Sequence, residues 1–230
     1  MGGSFHVQRV IPDNCADILV LANGQATLVG PATGVEVPTL PAGTLIRGLR
    51  FEPYALGAVF GLDAAELTNR TVDLDAVLRP ALARAVAEST WDPGADGWLA
   101  RHWQHVRPDQ ATIGIVRALT RPGQAGVEAA AGEVGFSVRH LRRLVRAETG
   151  LTPKTLHRVA RLHDFLRRAE VDRVPVGPAA AAAGYADQPH VSREIRALTG
   201  LSPRGLLTER AARPERATLT GRPPGGRAWH

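Results

Sequence analysis

Two short stretches of the chain, GLTPKTL at residues 150–156 and GLSPRGL at residues 200–206, are nearly identical. The similarity extends around them, because eight of the seventeen aligned positions from Leu141 to His157 are the same in the second copy. The only length difference between the copies is one residue in a turn. A duplicated supersecondary unit explains this self-similarity better than chance does.

Each copy has the pattern of a helix, a turn and a second helix. The first helix stops at a glycine, Gly135 or Gly184, which can adopt the left-handed conformation that ends helices, and an aromatic residue follows. Ser137 in the first copy and Asp187 in the second are good N-caps for the second helix. The glycine of each repeated stretch then closes the second helix.

The second helix of each copy has one apolar face, and its other faces are basic or polar. This is the arrangement of a helix-turn-helix, whose second helix enters the major groove of DNA with its N-terminal residues near base edges. Arg can pair with guanine and Gln with adenine, while His and Ser can contact bases or phosphates. The predicted DNA-binding residues are Ser137, Arg139, His140, Arg142 and Arg143 in the first copy and Gln188, His190, Ser192 and Arg193 in the second.

The alternative is a pair of helical hairpins whose basic faces are simply solvated. Two copies that each carry a basic exposed face favour DNA binding over that alternative. Between the copies, residues 155–169 have an apolar stripe at helical spacing and predict a spacer helix. At about 1.5 Å per residue, such a helix could separate the two DNA-reading helices by roughly one turn of DNA, about 34 Å.

The charge of the chain is divided between its halves. Residues 1–100 carry 6 Arg and 11 acidic residues, whereas residues 101–230 carry 22 basic and 11 acidic residues. The preference for Arg over Lys is typical of a GC-rich genome, but such a bias does not explain why the positive charge lies in one half. We therefore predict that only the C-terminal half meets a polyanion, and we expect double-stranded DNA as the partner.

Composition excludes several classes of protein. Cys15 is the only cysteine, which rules out an intramolecular disulfide and a cysteine-based zinc cluster. No stretch approaches the run of about 20 apolar residues that a membrane helix needs, so we expect a cytoplasmic protein without a membrane partner. RNA binding is disfavoured because the basic half lacks aromatic platforms on which unpaired bases would stack.

Enzymatic interpretations have little support in the sequence. His102 and His105 could supply two metal ligands, but no convincing further ligands accompany them. Cys15 could be an alkyl acceptor or a redox sensor, although its place in an apolar strand favours an inert buried thiol. Asp13 and Asp17 could form an acid pair or could simply occupy turn and strand-end positions. We predict that the protein is not an enzyme and has no cofactor and no metal site.

The N-terminal half predicts a small α+β domain. Strand patterns cover residues 15–21, 25–30 and 43–53, and helical patterns follow, with Asp63 and Asp75 as N-caps. The predicted domains are a regulatory or oligomerisation domain at 1–90, a linker with some helix at 91–109, a tandem helix-turn-helix domain at 110–211 and a disordered tail at 212–230.

The C-terminal half resembles the DNA-binding domain of the AraC family of bacterial transcription regulators. GFSVRHLRRLVRAETGLTP, at residues 135–153, and AAGYADQPHVSREIRALTGLSP, at residues 182–203, carry the resemblance. It implies a monomeric unit with two helix-turn-helix motifs joined by a long helix, so the expected fold is an α+β N-terminal domain followed by an all-α DNA-binding domain. It also implies that the two motifs occupy successive major grooves, and it makes RNA polymerase a partner to expect.

The N-terminal half is similar to a domain found in one subgroup of the same family. IPDNCADILVL, at residues 11–21, and LIRGLRFEPYALGAVFGL, at residues 45–62, carry this similarity. Members of that subgroup have additional sequence before the Pro-Asp segment, so we expect a shortened domain or a different start site. Domains of this position in the wider family sense a small-molecule effector or form a homodimer, and we carry both roles as expectations.

Two residues depart from the family pattern. Pro189 stands in the first turn of the second reading helix, where the family has a small polar residue. Proline is tolerated there because those N–H groups have no helical partner, but it would remove a contact to DNA. Phe165 stands where the family often has Ala in the spacer helix, and it predicts an altered spacing of the two units.

Overall fold

A computed structural model describes residues 5–92, 96–124 and 126–212 of the chain. The tail predicted to be disordered lies outside the described residues from position 213 onward. Within the described part, no helix is both long and apolar enough to cross a lipid bilayer.

Antiparallel strands form the first layer of the N-terminal half. Four of them make one sheet with the order β5-β2-β3-β6, and the other two pair separately. The strands are β1 (Phe5–Val7), β2 (Ala16–Leu21), β3 (Ala26–Val29), β4 (Thr39–Pro41), β5 (Ile46–Phe51) and β6 (Thr71–Asp73). The three predicted strand regions correspond to β2, β3 and β5. The other three strands were not predicted, because segments of three residues are too short to show an alternating pattern.

Short helices follow the strands. They comprise three 3-10 turns at Pro53–Ala55, Ala64–Leu67 and Leu74–Ala76 and the helices α1 (Leu56–Phe60), α2 (Pro80–Trp91) and α3 (Asp96–His102). Asp63 caps its 3-10 turn as predicted, since its side chain accepts a hydrogen bond from the Ala65 N–H. The predicted N-cap at Asp75 is wrong: Asp75 lies inside a 3-10 turn, and α2 begins at Pro80, whose missing N–H suits the first helical position.

The core of the N-terminal half lies between the sheet and the helices α2 and α3. Ile18, Val20 and Leu28 are fully buried from the sheet side. The segment predicted as a linker contributes to this core, because Leu99 and Trp103 are buried in it and the Trp103 ring meets Phe51 edge-on at 5.5 Å. Residues 96–103 therefore pack as part of the N-terminal half.

The C-terminal half consists of helices in all of its described elements. They are α4 (Gln110–Thr120), α5 (Val127–Glu133), α6 (Val138–Thr149), α7 (Pro153–Glu170), α8 (Val176–Ala182), α9 (Gln188–Thr199) and α10 (Pro203–Ala211). The predicted fold class is confirmed: an α+β domain precedes an all-α domain in which α7 joins two helix-turn-helix motifs. We call α5–α6 the first unit, α8–α9 the second unit, and α6 and α9 the reading helices.

The two units have separate hydrophobic cores. The first core includes Leu141 and Val145 of α6 packed with α4, and the second includes Val191 and Ile195 of α9. Phe165 lies in the second core, fully buried, with its ring edge-on to Tyr185 at 6.4 Å. This departure from the family pattern therefore fills the space between α7 and the turn of the second unit.

Candidate DNA-binding surface

The repeated stretch ends one helix and begins the next. Gly150 and Gly200 both have φ of 75°, the left-handed conformation, and each N–H donates to the carbonyl four residues earlier. Two residues later Thr152 and Ser202 cap α7 and α10 by accepting hydrogen bonds from backbone N–H groups, and a proline occupies the first helical position after each cap. Because glycine tolerates the left-handed turn and Ser/Thr-Pro starts a helix, the stretch fixes a sharp change of direction twice.

The start of each reading helix is also fixed by a cap, as predicted. The Ser137 hydroxyl accepts from the His140 N–H at 3.2 Å, and the Asp187 carboxylate accepts from the His190 N–H at 2.6 Å. Pro189 is exposed and lies in the first turn of α9. Because N–H groups of the first turn have no partner within the helix, the proline removes no helical hydrogen bond. Both reading helices are twelve residues long.

Arginines of the reading helices differ from those of α7 in their partners. Within the described residues no carboxylate lies within 4 Å of the exposed arginines of α6 and α9. These are Arg139, Arg142, Arg143, Arg146, Arg193 and Arg196. The α7 arginines at 158, 161, 167 and 168 each pair with an acidic residue at 2.8–3.0 Å. The exposed arginines of the reading helices therefore have no carboxylate partner among the described residues, whereas these four arginines of α7 are paired.

Two histidines of the predicted set lie against the turns. The His140 ring lies 4.8 Å from the Phe136 ring, and the His190 ring meets the Tyr185 ring edge-on at 5.4 Å. His190 Nδ1 also accepts a hydrogen bond from the Ala186 N–H at 3.2 Å. Because both rings are half-buried beside the turn aromatics, the structure gives them a packing role within each unit. The sequence indicated that the two histidines share a role, since both occupy the same position before the closing glycine.

The remaining predicted residues divide by exposure. Gln188 is exposed at the first position of α9, whereas Ser192 is half-buried on the same helix. Arg143 is exposed, and its Nη2 lies 3.3 Å from His140 Nδ1. The structure adds Arg146 and Arg196 to the exposed basic surface, although neither was among the predicted site residues. The sequence signal for both was their identity at equivalent positions of the two copies.

A half-buried ionic cluster ties the second reading helix to α7. The Glu194 carboxylate pairs with Arg158 at 2.9 Å and with Arg161 at 2.8 Å, and the Arg161 guanidinium lies 4.9 Å from the centre of the Tyr185 ring. Burial is the main reason why the pKa of Tyr185 lies well above its usual value. Sequence reasoning missed this cluster because Glu194 lies more than 30 residues from its two arginine partners along the chain.

The residues considered for catalysis lie elsewhere and have partners. Arg50 pairs with Asp13 at 2.8 Å and with Asp17 at 2.9 Å, so the two carboxylates share one cation. Burial raises the pKa of the Cys15 thiol well above its usual value, which keeps it protonated and weakly nucleophilic. The His102 ring stacks on Trp98 at 5.2 Å. Among the described residues, no group of three or more His, Cys, Asp or Glu is arranged to hold a metal ion.

Family comparisons agree with this geometry. A helix-turn-helix domain matches residues 130–209, and a domain of unknown function (DUF6597) matches residues 3–73. The C-terminal half therefore contains a DNA-binding helix-turn-helix domain of the AraC type. The AraC-type domain match spans both reading helices, and the second match spans the sheet.

Curated relatives of this chain come from two strains of Mycobacterium tuberculosis. Each is named a probable bifunctional transcriptional activator/DNA repair enzyme AlkA, and each is 32% identical over 157 residues. The match covers 62% of this chain, and the chain spans only about a third, 32%, of the relatives' length. Among solved structures, a single-residue variant of apo ToxT from Vibrio cholerae matches with a TM-score of 0.42 and 13% identity, covering 90% of this chain and 98% of that one.

Proposed function

We propose that this protein is a sequence-specific transcription regulator that reads two adjacent major-groove segments of double-stranded DNA. The observation that carries the proposal is the pair of reading helices, each with exposed arginines that have no carboxylate partner among the described residues. Arg139, Arg142 and Arg143 would face bases from the first unit, and Gln188 and Arg193 from the second. Arg makes paired hydrogen bonds to guanine, and Gln makes them to adenine.

The other predicted residues would act indirectly or on the DNA backbone. Ser137 and Ser192 have hydroxyl groups that suit phosphate oxygens, and Ser137 already caps its helix. His140 and His190 would set the angle of each reading helix through their contacts with the turn aromatics. Arg146 and Arg196 lie in the last turn of their helices, where phosphate contacts are more plausible than base contacts.

Selection of bound duplexes from a random DNA library tests the proposal. The purified full chain is used at near-physiological salt, because non-specific electrostatic binding is weak there. We expect an enriched motif with two half-elements about one helical turn apart. Enrichment of a single short element would contradict two-segment reading, and no enrichment by a folded protein in the presence and absence of candidate effectors would contradict sequence-specific binding.

A small-molecule effector would bind in the N-terminal half. An open groove of about 710 Å³ lies beside the β2–β3 turn and α2, within the range of ligand sites in proteins. Its charged lining residues are Asp73, Asp75, Glu88 and Arg84, so the groove carries an excess of negative charge. Trp91 also lines it, and among the described residues no acceptor meets its indole N–H. The charge of this lining favours a small cation.

Thermal unfolding with a panel of small cations tests the groove. A ligand of this site should raise the melting temperature of the parent chain and have less effect on an Asp73→Asn, Glu88→Gln variant. Asp92→Asn, outside the groove lining, is the control. Equal shifts in all three proteins would place the ligand elsewhere.

Activation, dimerisation and the lack of an enzymatic role are further parts of the proposal. RNA polymerase contact is tested by transcription in vitro from a promoter that carries the selected motif, and a homodimer by sedimentation with and without DNA. The DNA repair activity in the relatives' name belongs to proteins about three times longer than the matched region. We propose no such activity for this chain, and an assay on alkylated DNA tests this.

A further inference from the structure

Residues 9–14, which we call the bridging segment, join the N-terminal half to the DNA-binding half. On the N-terminal side, Val10 and Glu36 exchange two backbone hydrogen bonds at 2.8 and 2.9 Å. Near its end, Asp13 pairs with Arg50 of β5 at 2.8 Å. The segment is therefore fixed to the N-terminal half at two separate places.

The first residue of the bridging segment contacts the end of the second reading helix. Arg9 Nη1 donates a hydrogen bond at 2.9 Å to the carbonyl of Thr199, the last residue of α9. Its Nε lies 3.1 Å from the Glu209 carboxylate on α10, and Ile11 packs against the core of the second unit. A cation at this end of a helix is favourable, because the last carbonyls carry partial negative charge.

The middle and end of the segment contact α7. His163 Nε2 donates to the Pro12 carbonyl at 2.8 Å, and Asn14 Nδ2 donates to the Leu156 carbonyl at 3.1 Å. Asn14 is buried and has a left-handed backbone, with φ of 70°. The contacts of Pro12 and Asn14 on α7 are therefore at His163 and Leu156. At about 1.5 Å per residue these two positions are about 10 Å apart along the helix, so the segment contacts two turns of α7.

The first reading helix receives an equivalent contact from elsewhere in the N-terminal half. Thr68 Oγ1 donates at 2.6 Å to the carbonyl of Gly150, the residue that closes α6. A Cβ at Gly150 would lie 2.5 Å from the Ala64 carbonyl oxygen, so only glycine permits this approach. Thr149 and Thr199 are aligned in the repeat, so the contacted carbonyls of Gly150 and Thr199 differ by one position in the alignment. The N-terminal half therefore contacts the C-terminal end of each reading helix.

We propose that the N-terminal half is a positioning element for DNA reading, in which Arg9, Asn14 and Thr68 fix the spacing of the two reading helices. The two units have separate cores and are joined to each other by α7, so contacts from the N-terminal half to both units add a second connection between them. The contacts lie at the C-terminal ends of α6 and α9, whereas the residues that would read bases lie toward the N-terminal ends. Positioning is therefore compatible with DNA binding. This inference rests on the proposed two-segment reading.

The test measures spacing preference with the full-length protein. Duplexes keep both selected half-elements and vary the distance between them one base pair at a time, about 3.4 Å per step. We expect the parent chain to prefer one spacing strongly. Arg9→Met and Thr68→Val should each reduce that preference about fivefold to tenfold, the size of typical coupling between sites. Affinity for a duplex with one half-element should stay within about twofold, because neither residue belongs to the DNA-facing set.

Matched controls separate positioning from a general loss of structure. Arg70→Met removes an exposed guanidinium that bonds to the nearby Glu66 carbonyl, and Thr33→Val removes an exposed hydroxyl that bonds to Asn69. Neither should change the spacing preference. Arg9→Lys and Thr68→Ser keep the cation and the hydroxyl, and they should restore part of the preference.

Each outcome of the test supports or overturns the inference. An unchanged spacing preference in folded Arg9→Met and Thr68→Val proteins would overturn it. If one variant fails to fold by circular dichroism, the other still decides, since the two residues contact different units. An equal loss on single half-elements and on all spacings would also overturn it, because that pattern indicates general destabilisation. If the parent chain selects no sequence at all, the proposed function fails instead.

Discussion

The first and second units share one frame but distribute charge differently. Four exposed arginines lie on α6, whereas α9 has two. At the position where α9 has Glu194, paired with two arginines of α7, α6 has the apolar Leu144. Caps and stops occupy the same positions in both copies, so the repeat preserves the backbone while its side chains diverge. The first unit exposes more arginines, and the second has an ionic connection to α7.

The largest expected effect comes from breaking the ionic cluster of the second unit. Glu194→Ala leaves Arg161, whose side chain is 13% exposed, without its carboxylate. Loss of one partner of a buried pair costs about 3 kcal/mol, so we expect the free energy of unfolding to fall by about that amount. Urea unfolding followed by circular dichroism measures it.

The matched control lies in the first unit. Glu133 pairs with Arg121 at 2.8 Å, but these side chains are 42% and 56% exposed. Glu133→Ala should cost only about 0–1 kcal/mol, because water screens exposed pairs. Equal costs for the two substitutions would show that α7 does not hold the second unit through Glu194.

Local signals made the shared frame predictable from the sequence. The glycine stops and the caps at Ser137 and Asp187 depend on residues within one or two turns of each other, and propensity acts over that range. The differences between the units were not predictable in this way. Glu194 gains its partners from residues 33 and 36 positions earlier, and Arg9 reaches Thr199 across 190 positions. Only folding brings such groups together.

The candidate site was predictable in composition and less so in orientation. Helical periodicity placed the exposed arginines correctly on the outside of both reading helices. It also placed His140 and His190 on the DNA-facing side, whereas the structure packs both rings against turn aromatics. A period of 3.6 residues identifies the face of a helix, but it does not show whether a side chain at the edge of that face turns inward.

The next effect compares equivalent arginines in the two units. Arg143→Ala and Arg193→Ala should each weaken binding to the selected duplex by about 1–3 kcal/mol, if both residues contact bases. Binding to random DNA should change less. Fluorescence anisotropy with labelled duplexes measures both affinities.

Arg146→Ala and Arg196→Ala serve as the contrast in the last turn of each helix. If they contact phosphates, each should weaken binding to selected and random DNA alike and reduce the slope of log K against log salt by about 0.9. Equal losses on both kinds of DNA for Arg143→Ala and Arg193→Ala would assign those two residues to phosphates as well.

A smaller effect distinguishes the two helix caps. Asp187→Ala and Ser137→Ala should each lower the free energy of unfolding by about 0.5–2 kcal/mol, the usual cost of losing an N-cap. Asp187→Ala should cost more, because its carboxylate forms the shorter bond, 2.6 Å against 3.2 Å, and also interacts with the helix dipole. Urea unfolding measures both. Asp187→Asn keeps an acceptor, so a cost equal to that of alanine would assign the effect to charge alone.

The smallest expected effect is a dependence of stability on pH that comes from His157 of α7. His157 lies where the second copy has Leu207, and its Nδ1 is 3.2 Å from the Leu119 carbonyl of α4. Burial lowers the pKa of His157 below its ordinary 6.5, because it disfavours the charged ring. The unfolded chain therefore takes up a proton at higher pH than the folded one. The stability from this group is therefore lost as the pH falls from about 6.5 toward the lower folded value, and the loss levels off below that value.

His157→Leu introduces the residue found at the aligned position 207 of the second copy, and it should flatten this dependence. Urea midpoints are compared for both proteins at about pH 7.5 and pH 5.5, on either side of the ordinary histidine value. The parent should lose more stability on acidification than the variant does. The other histidines remain in both proteins, so the difference between the two shifts isolates residue 157. If both midpoints fall equally, His157 has the same pKa in the folded and unfolded chains, and it does not contribute to the pH dependence of stability.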